Sequence, residues 1–100
     1  MGETDLNHLR EEIDHIDDQL LNLLTARVEK VSEVLKVKCN QGDKNPVIYY
    51  PKREAAILDR LVNQNKSALS DEAIRLIFST MITQCRLLQC DALLTSTEKS

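Results

Sequence analysis

The sequence predicts an all-α fold with three helices in each chain, the first of them very long. Residues 6–38 contain neither Pro nor Gly, and their apolar residues recur every three or four positions, as on one face of a helix. No stretch alternates apolar and polar residues in the manner of a half-buried strand. With 42% hydrophobic and 29% charged residues, the 100-residue chain has the composition of one small globular domain.

Helix one is predicted over residues 6–38. Its apolar face consists of Leu6, Leu9, Ile13, Ile16, Leu20 and Leu23. A helix of this length rises roughly 50 Å, whereas a compact domain of 100 residues has a radius of gyration of only about 13 Å. Such a helix must extend beyond its own domain, so its apolar face needs a partner chain.

Helix two is predicted over residues 51–65, after a loop at 39–47 that is rich in Gly, Asp, Asn and Pro. Pro51 suits the first position of a helix, because the N–H that it lacks would have no partner within the helix there. The residues that follow place Ile57 and Leu61 on one face. A short helix with a single apolar side is therefore expected.

Helix three is predicted over residues 71–93. Ser70 is the expected N-cap, because its hydroxyl can accept a hydrogen bond from an unpaired backbone N–H of the first turn. Asp71 and Glu72 follow in that turn, where the helix dipole favours acidic side chains. The final segment, residues 95–100, is expected to be frayed or to serve as a linker.

Composition and charge argue against several classes of function. The 13 basic and 16 acidic residues give a net charge of -3, so no global positive field indicates nucleic-acid binding. The N-terminal residues do not resemble a signal peptide, and no apolar run is long enough to span a membrane. No nucleophilic triad, metal cluster or phosphate-binding loop is present, so neither a metal nor a cofactor is expected. The odd number of cysteines, without zinc-site spacing, favours reduced thiols and a cytoplasmic location: Cys39, Cys85 and Cys90.

One line of positions along helix one carries charged as well as aliphatic side chains. At steps of three or four it reads Arg10, Ile13, Asp17, Leu20, Leu24, Arg27, Val31, Val34 and Lys38. The long cationic side chains can bury their stems and extend their charged ends to water, or pair with acids such as Asp17. Alternatively they converge on a buried anion, because an isolated cation in the interior is costly. Spacing alone leaves both interpretations open.

Helix geometry limits how these cations could meet one ligand. Arg10 and Arg27 are about 25 Å apart along a straight axis, and Arg10 and Lys38 about 42 Å apart, so no small ligand can touch all three. If two long helices cross antiparallel about a two-fold axis, Arg10 of one chain can approach Arg27 and Lys38 of the other. Symmetry then creates two equivalent sites. Helix length and charge pattern therefore predict the same homodimer.

Four motifs occur in order along most of the chain. They are L-R-x-x-I-D-x-I-D-x-Q-L-L-x-L-L-x-x-R at 9–27, K-x-K at 36–38, P-x-R-E-A at 51–55 and F-x-x-x-I-x-x-C-R-x-L-Q at 78–89. Together they resemble the all-helical chorismate mutases. The Y-x-P-x-R-E-A form is further similar to the mutase domain at the front of bifunctional chorismate mutase/prephenate dehydratase proteins.

The resemblance implies a homodimer of three-helix chains with antiparallel first helices, which rearranges chorismate to prephenate. By position, Arg10 would reach across from the second subunit to a substrate carboxylate, and Arg27 would bind a carboxylate from its own chain. Arg53 would belong to the cationic lining of the site. Glu54 would accept a hydrogen bond from the ring hydroxyl of the substrate.

The same resemblance assigns Lys38 and Gln89 to the ether oxygen, where negative charge grows as the carbon–oxygen bond breaks. Lys38 is accordingly the main catalytic candidate. Two positions depart from the family pattern. Tyr50 stands where many members have Asp, and Cys85 stands where Ser is common, so Cys85 is a weaker hydrogen-bond donor lining the site. The part that either side chain takes in binding is left open.

Two other functions fit the same residues. An isochorismate pyruvate lyase on this fold would use similar carboxylate-binding cations. A non-enzymatic helical dimerisation module would need only the apolar face of helix one, with Arg27 and Lys38 extending to water. The sequence also leaves open whether a prephenate dehydratase domain follows in the full-length protein.

Overall fold

The structure, a computed structural model, describes residues 2–98, with side chains as far as Leu94. Its helices are α1 (Glu3–Asn40), α2 (Pro51–Gln64) and α3 (Asp71–Glu98), and no strand occurs in residues 2–98. The predicted all-α class, with three helices and a very long first one, is confirmed: α1 alone has 38 residues. No helix in this range has a stretch long and apolar enough to cross a lipid bilayer.

Two helices are longer than the sequence predicts. Helix α1 begins at Glu3 and ends at Asn40, with Glu3 and Asp5 in a first turn where the helix dipole favours acids. Helix α3 continues to Glu98, beyond the predicted end at residue 93, so residues 95–98 are helical where a frayed or linker segment is expected. Neither Gly nor Pro interrupts those residues, and nothing local stops the helix. Residues 99–100, to which the same expectation applied, lie outside the part of the chain that the structure describes.

The end of α1 depends on Gly42. The backbone N–H of Gly42 donates to the carbonyl of Cys39 at 3.1 Å, and that of Asp43 donates to the carbonyl of Lys38 at 3.2 Å. This pair of bonds is a Schellman motif, which needs a residue in the left-handed region after the last helical turn. Gly42 supplies it with a φ of 88°. The chain can therefore turn immediately after the turn that carries Lys38.

The starts of the other two helices match their local sequence signals. Helix α2 begins at Pro51, and the carbonyl of Tyr50 accepts its first hydrogen bond from the N–H of Glu54 at 2.9 Å. Helix α3 begins at Asp71, and the N–H of Ala73 donates to the hydroxyl of Ser70 at 3.1 Å. The predicted N-cap at Ser70 is confirmed.

The chain divides into two units, one ending at Val34 and the other beginning at Leu35. In the second unit α2 packs against α3. All the buried side chains of the described residues lie in this unit, and they are Leu35, Pro46, Ile57, Ile82 and Cys85. The core is small because only α2, α3, one loop and the last turns of α1 supply it.

The first unit is the part of α1 that precedes Leu35. The apolar residues of the predicted face of helix one are between 47% and 68% exposed. They are Leu6, Leu9, Ile13, Ile16, Leu20 and Leu23. A row of six large aliphatic side chains is more apolar surface than one helix ordinarily leaves in water. We call this row the α1 apolar face.

Candidate functional site

Lys38 lies in the last turn of α1, and its ammonium group is held in place. Nζ donates to the carbonyl oxygen of Val47 at 3.0 Å and to the hydroxyl oxygen of Tyr50 at 2.9 Å. It also lies 4.3 Å from the centroid of the Tyr50 ring. Because the side chain is half-buried and contacts two acceptors, its charged end has little freedom to move.

The ammonium group keeps a donor for another acceptor. A lysine ammonium has three N–H donors, and two of those of Lys38 are used by Val47 and Tyr50 within the described residues. The remaining N–H can bind an oxygen atom of a ligand. The ring of Tyr50, whose electron-rich face attracts cations, and the two hydrogen bonds restrain the ammonium group without neutralising it, since neither Val47 nor Tyr50 carries a negative charge.

Glu54, in the first turn of α2, forms an ion pair with Arg86 of α3. Nη1 of Arg86 donates to both carboxylate oxygens of Glu54, at 3.0 Å and 2.8 Å. The two side chains are only 25% and 22% exposed. The guanidinium carbon of Arg86 also lies 4.4 Å from the centroid of the Tyr49 ring. The carboxylate is therefore fixed from one side by a cation that is itself packed on an aromatic ring.

The two polar groups are connected through neighbouring residues of one segment. Tyr49 contacts Arg86, and Tyr50 contacts Lys38, immediately before α2 begins at Pro51. Tyr50 has φ of -120° and ψ of 87°, so the chain is not helical there and successive side chains diverge. Pro51 disfavours a helical conformation in the residue before it, which helps to keep this arrangement.

The other candidates of the second unit differ in exposure. Arg53 is exposed on α2, Gln89 is half-buried on α3, and Cys85 is 5% exposed within the core of the second unit. Burial of Cys85 agrees with a small side chain that packs as an apolar group. A substrate contact by any of the three stays a prediction.

Arg10 and Arg27 belong to the first unit, where Arg10 is exposed and Arg27 is half-buried. Both lie on α1, as the sequence predicts. Their binding of carboxylates, and the approach of Arg10 to the site of a second chain, stay predictions.

The sequence patterns predict no role for Arg86, although this residue lies within one of the four motifs. Its partner Glu54 is 32 positions away in the chain, and only the packing of α2 on α3 brings the two side chains together. The pair could have been recognised as a half-buried acid on one helix facing a half-buried base on its neighbour. A sequence does not show which side chains are buried unless the packing of the two helices is known. The contact of the Tyr50 hydroxyl with Lys38 was missed for the same reason.

Comparison with known proteins finds a family match and several similar proteins. A family described as chorismate mutase type II matches residues 9–90. A bifunctional chorismate mutase/prephenate dehydratase of Stutzerimonas stutzeri is 34% identical over 92 residues, which cover 89% of this chain and 25% of that protein. The protein of the same name from Pseudomonas aeruginosa is 33% identical over 87 residues, covering 84% of this chain and 24% of that protein.

A third relative carries a different name. The T-protein of Haemophilus influenzae is 41% identical over 70 residues, which cover 69% of this chain and 18% of that protein. The chain thus spans about a quarter of the length of the first two relatives and less of the third.

Proposed function

The chain belongs to the chorismate mutase type II family, and on that premise we propose that it rearranges chorismate to prephenate. The observation that carries the proposal is the family match over residues 9–90, a range that includes every candidate from Arg10 to Gln89. The reaction is an intramolecular isomerisation: the ether carbon–oxygen bond breaks while a new carbon–carbon bond forms. It requires no nucleophile, no proton transfer and no metal.

A reaction of this kind depends on restraint and on placed charge. Chorismate is a flexible dianion, and it reacts only from a compact conformer in which the two carbon termini approach each other. Guanidinium groups bind carboxylates through paired N–H donors, so Arg10 and Arg27 can hold both ends of the substrate in that conformer. Arg53 adds positive charge to the lining.

Lys38 is the residue to which we assign stabilisation of the ether oxygen. Negative charge grows on that oxygen because the carbon–oxygen bond breaks ahead of carbon–carbon bond formation. The restrained ammonium group, with one N–H left by Val47 and Tyr50, supports this role. A donor placed before the reaction stabilises the transition state more than the ground state, since no reorganisation is needed when the charge develops. Gln89 adds a neutral amide donor to the same oxygen.

Glu54 is proposed to accept a hydrogen bond from the ring hydroxyl of the substrate. Arg86 takes one position on each carboxylate oxygen, and each oxygen has a second lone pair. The carboxylate can therefore bind the hydroxyl without giving up its ion pair.

The working form is proposed to be a homodimer with antiparallel α1 helices, in which Arg10 enters the site of the other subunit. Support comes from the exposed α1 apolar face, which a second copy would cover. A two-fold dimer uses the same face on both chains and forms two sites. The cytoplasm remains the expected location, on the grounds of cysteine usage.

Turnover of chorismate by the purified chain tests the proposal. Proton NMR of the mixture follows the loss of chorismate and identifies the product, and the same mixture without protein serves as the control. We expect prephenate to accumulate in proportion to chorismate lost. A chain that leaves chorismate unchanged would contradict the proposal, and release of pyruvate from isochorismate without chorismate turnover would indicate the lyase instead.

A further inference from the structure

We propose that Arg86 is a positioning residue that holds the Glu54 carboxylate oriented and charge-balanced for the hydroxyl group of the substrate. The inference rests on the proposed function, because the pair of Arg86 and Glu54 has this role only when a dianionic substrate occupies the site. The juxtaposition of a half-buried acid, a half-buried base and an aromatic ring at the start of α2 carries it.

A second ion pair between the same helices provides a comparison. Arg75 of α3 donates to one oxygen of Asp59 of α2 at 2.9 Å, and the two side chains are 45% and 65% exposed. Such a solvated single contact contributes little to stability. The pair of Arg86 and Glu54 is more buried, contacts both carboxylate oxygens and is packed on Tyr49. The Arg86 pair is thus more restrained than the other ion pair between the same two helices.

Charge explains why a carboxylate in a site for a dianion needs a partner. An unpaired Glu54 would repel the substrate that its neighbours attract, and the repulsion would be strong in a site from which water is excluded. Arg86 makes the pair neutral. The carboxylate can then accept a hydrogen bond from a hydroxyl group without adding a net negative charge to the site.

Geometry explains why the partner is an arginine on a rigid helix. Nη1 donates to both carboxylate oxygens, at 3.0 Å and 2.8 Å, which limits the movement of the carboxylate. The Tyr49 ring limits the movement of the guanidinium group. A carboxylate held in this manner presents its remaining lone pairs in constant directions, and a hydrogen bond to a substrate depends on that direction.

The experiment measures kcat and KM for chorismate in five variants of the full chain. They are Arg86→Gln, Arg86→Lys, Glu54→Gln, the double variant Glu54→Gln with Arg86→Gln, and Arg75→Gln as the matched control. Arg86→Gln is expected to lower kcat/KM by up to about 100-fold, mainly through KM, because the carboxylate loses its orientation and its counter-charge. Arg75→Gln is expected to stay within about twofold of the unchanged chain.

The double variant separates positioning from direct binding. If Arg86 acts through Glu54, adding Arg86→Gln to Glu54→Gln changes kcat/KM by no more than about twofold. If Arg86 binds the substrate itself, or only stabilises the fold, the loss is the same in both backgrounds, and the inference is overturned. Arg86→Lys retains the charge and should fall between the unchanged chain and Arg86→Gln.

Folding is checked by circular dichroism and thermal unfolding of each variant. If Arg86→Gln fails to fold, Tyr49→Leu removes only the ring beneath the guanidinium group, and a rise in KM that vanishes in the Glu54→Gln background supports the same inference. Equal losses in both backgrounds overturn it. Failure of the unchanged chain to turn over chorismate would contradict the proposed function, whereas normal turnover with Arg86→Gln equal to Arg75→Gln would contradict this inference alone.

Discussion

The two ends of α1 differ in what the single chain provides for them. From Glu3 to Leu24 the helix leaves its large apolar residues exposed, whereas Val28 and Val31 are half-buried and Leu35 is buried. Lys38, in the last turn, is held by two hydrogen bonds from its ammonium group. The proposed function accordingly divides the site into an organised half around Lys38 and a dependent half, with Arg10 and Arg27, which a second chain is proposed to complete.

The division follows the chemistry of the proposed reaction. The group assigned to the ether oxygen must be fixed before the reaction to be effective, and Lys38 is fixed by Val47 and Tyr50 of its own chain. The groups assigned to the carboxylates, Arg10 and Arg27, lie on the part of α1 that has no core of its own. Changes in the two regions should therefore have different signatures.

Lys38→Ala tests the organised half and should have the largest effect. We expect kcat to fall by about 100-fold or more, because a preorganised donor to the developing charge is lost. The mass of the assembly in solution should not change, since Lys38 is outside the α1 apolar face. Lys30→Ala, which removes an exposed lysine paired with Glu33, is the control. Unchanged turnover in Lys38→Ala would remove this residue from the mechanism.

Leu20→Asp tests the dependent half. A carboxylate in the middle of the α1 apolar face should prevent association, because burying an unpaired charge is costly. Light scattering should report the mass of one chain, and activity should fall with it. Asn22→Asp adds the same charge about 200° further round the helix and should leave the mass of two chains. Persistence of the dimer in Leu20→Asp would show that this face is not the interface.

Tyr50→Phe should have the smallest effect and refines the description of the organised half. It removes one hydrogen-bond acceptor of Lys38 but retains the ring beside the ammonium group. Loss of one such bond corresponds to a decrease in kcat of about fivefold. The value of KM should change less, because the substrate carboxylates are bound elsewhere. A large rise in KM with constant kcat would instead indicate that Tyr50 contacts the substrate.

The sequence predicts the starts of α2 and α3 at the residues where they occur, Pro51 and Asp71, but not the start of α1 at Glu3. Pro51 and Ser70 are local signals, and each acts within one turn of its own position. The end of α1 depends on Gly42, whose left-handed conformation closes the helix two residues beyond Asn40. Helix α3 continues to Glu98 because no residue there interrupts it.

The candidate site shows a similar limit. The four motifs predict which side chains belong to the site, and these assignments stay predictions. Partners are not predictable in this way. The contacts of Arg86 with Glu54 and of Lys38 with Tyr50 join positions 32 and 12 residues apart, and they depend on how loops and helices pack.

Mixing two inactive variants tests the proposed division of the site between chains most directly. Arg10→Ala and Arg27→Ala are each expected to be nearly inactive. After subunit exchange, half of the dimers contain one chain of each kind and one intact site, so about a quarter of the original activity should return. If exchange is verified by mass spectrometry and no activity returns, the site is built within one chain, and the contribution of Arg10 across the interface is contradicted.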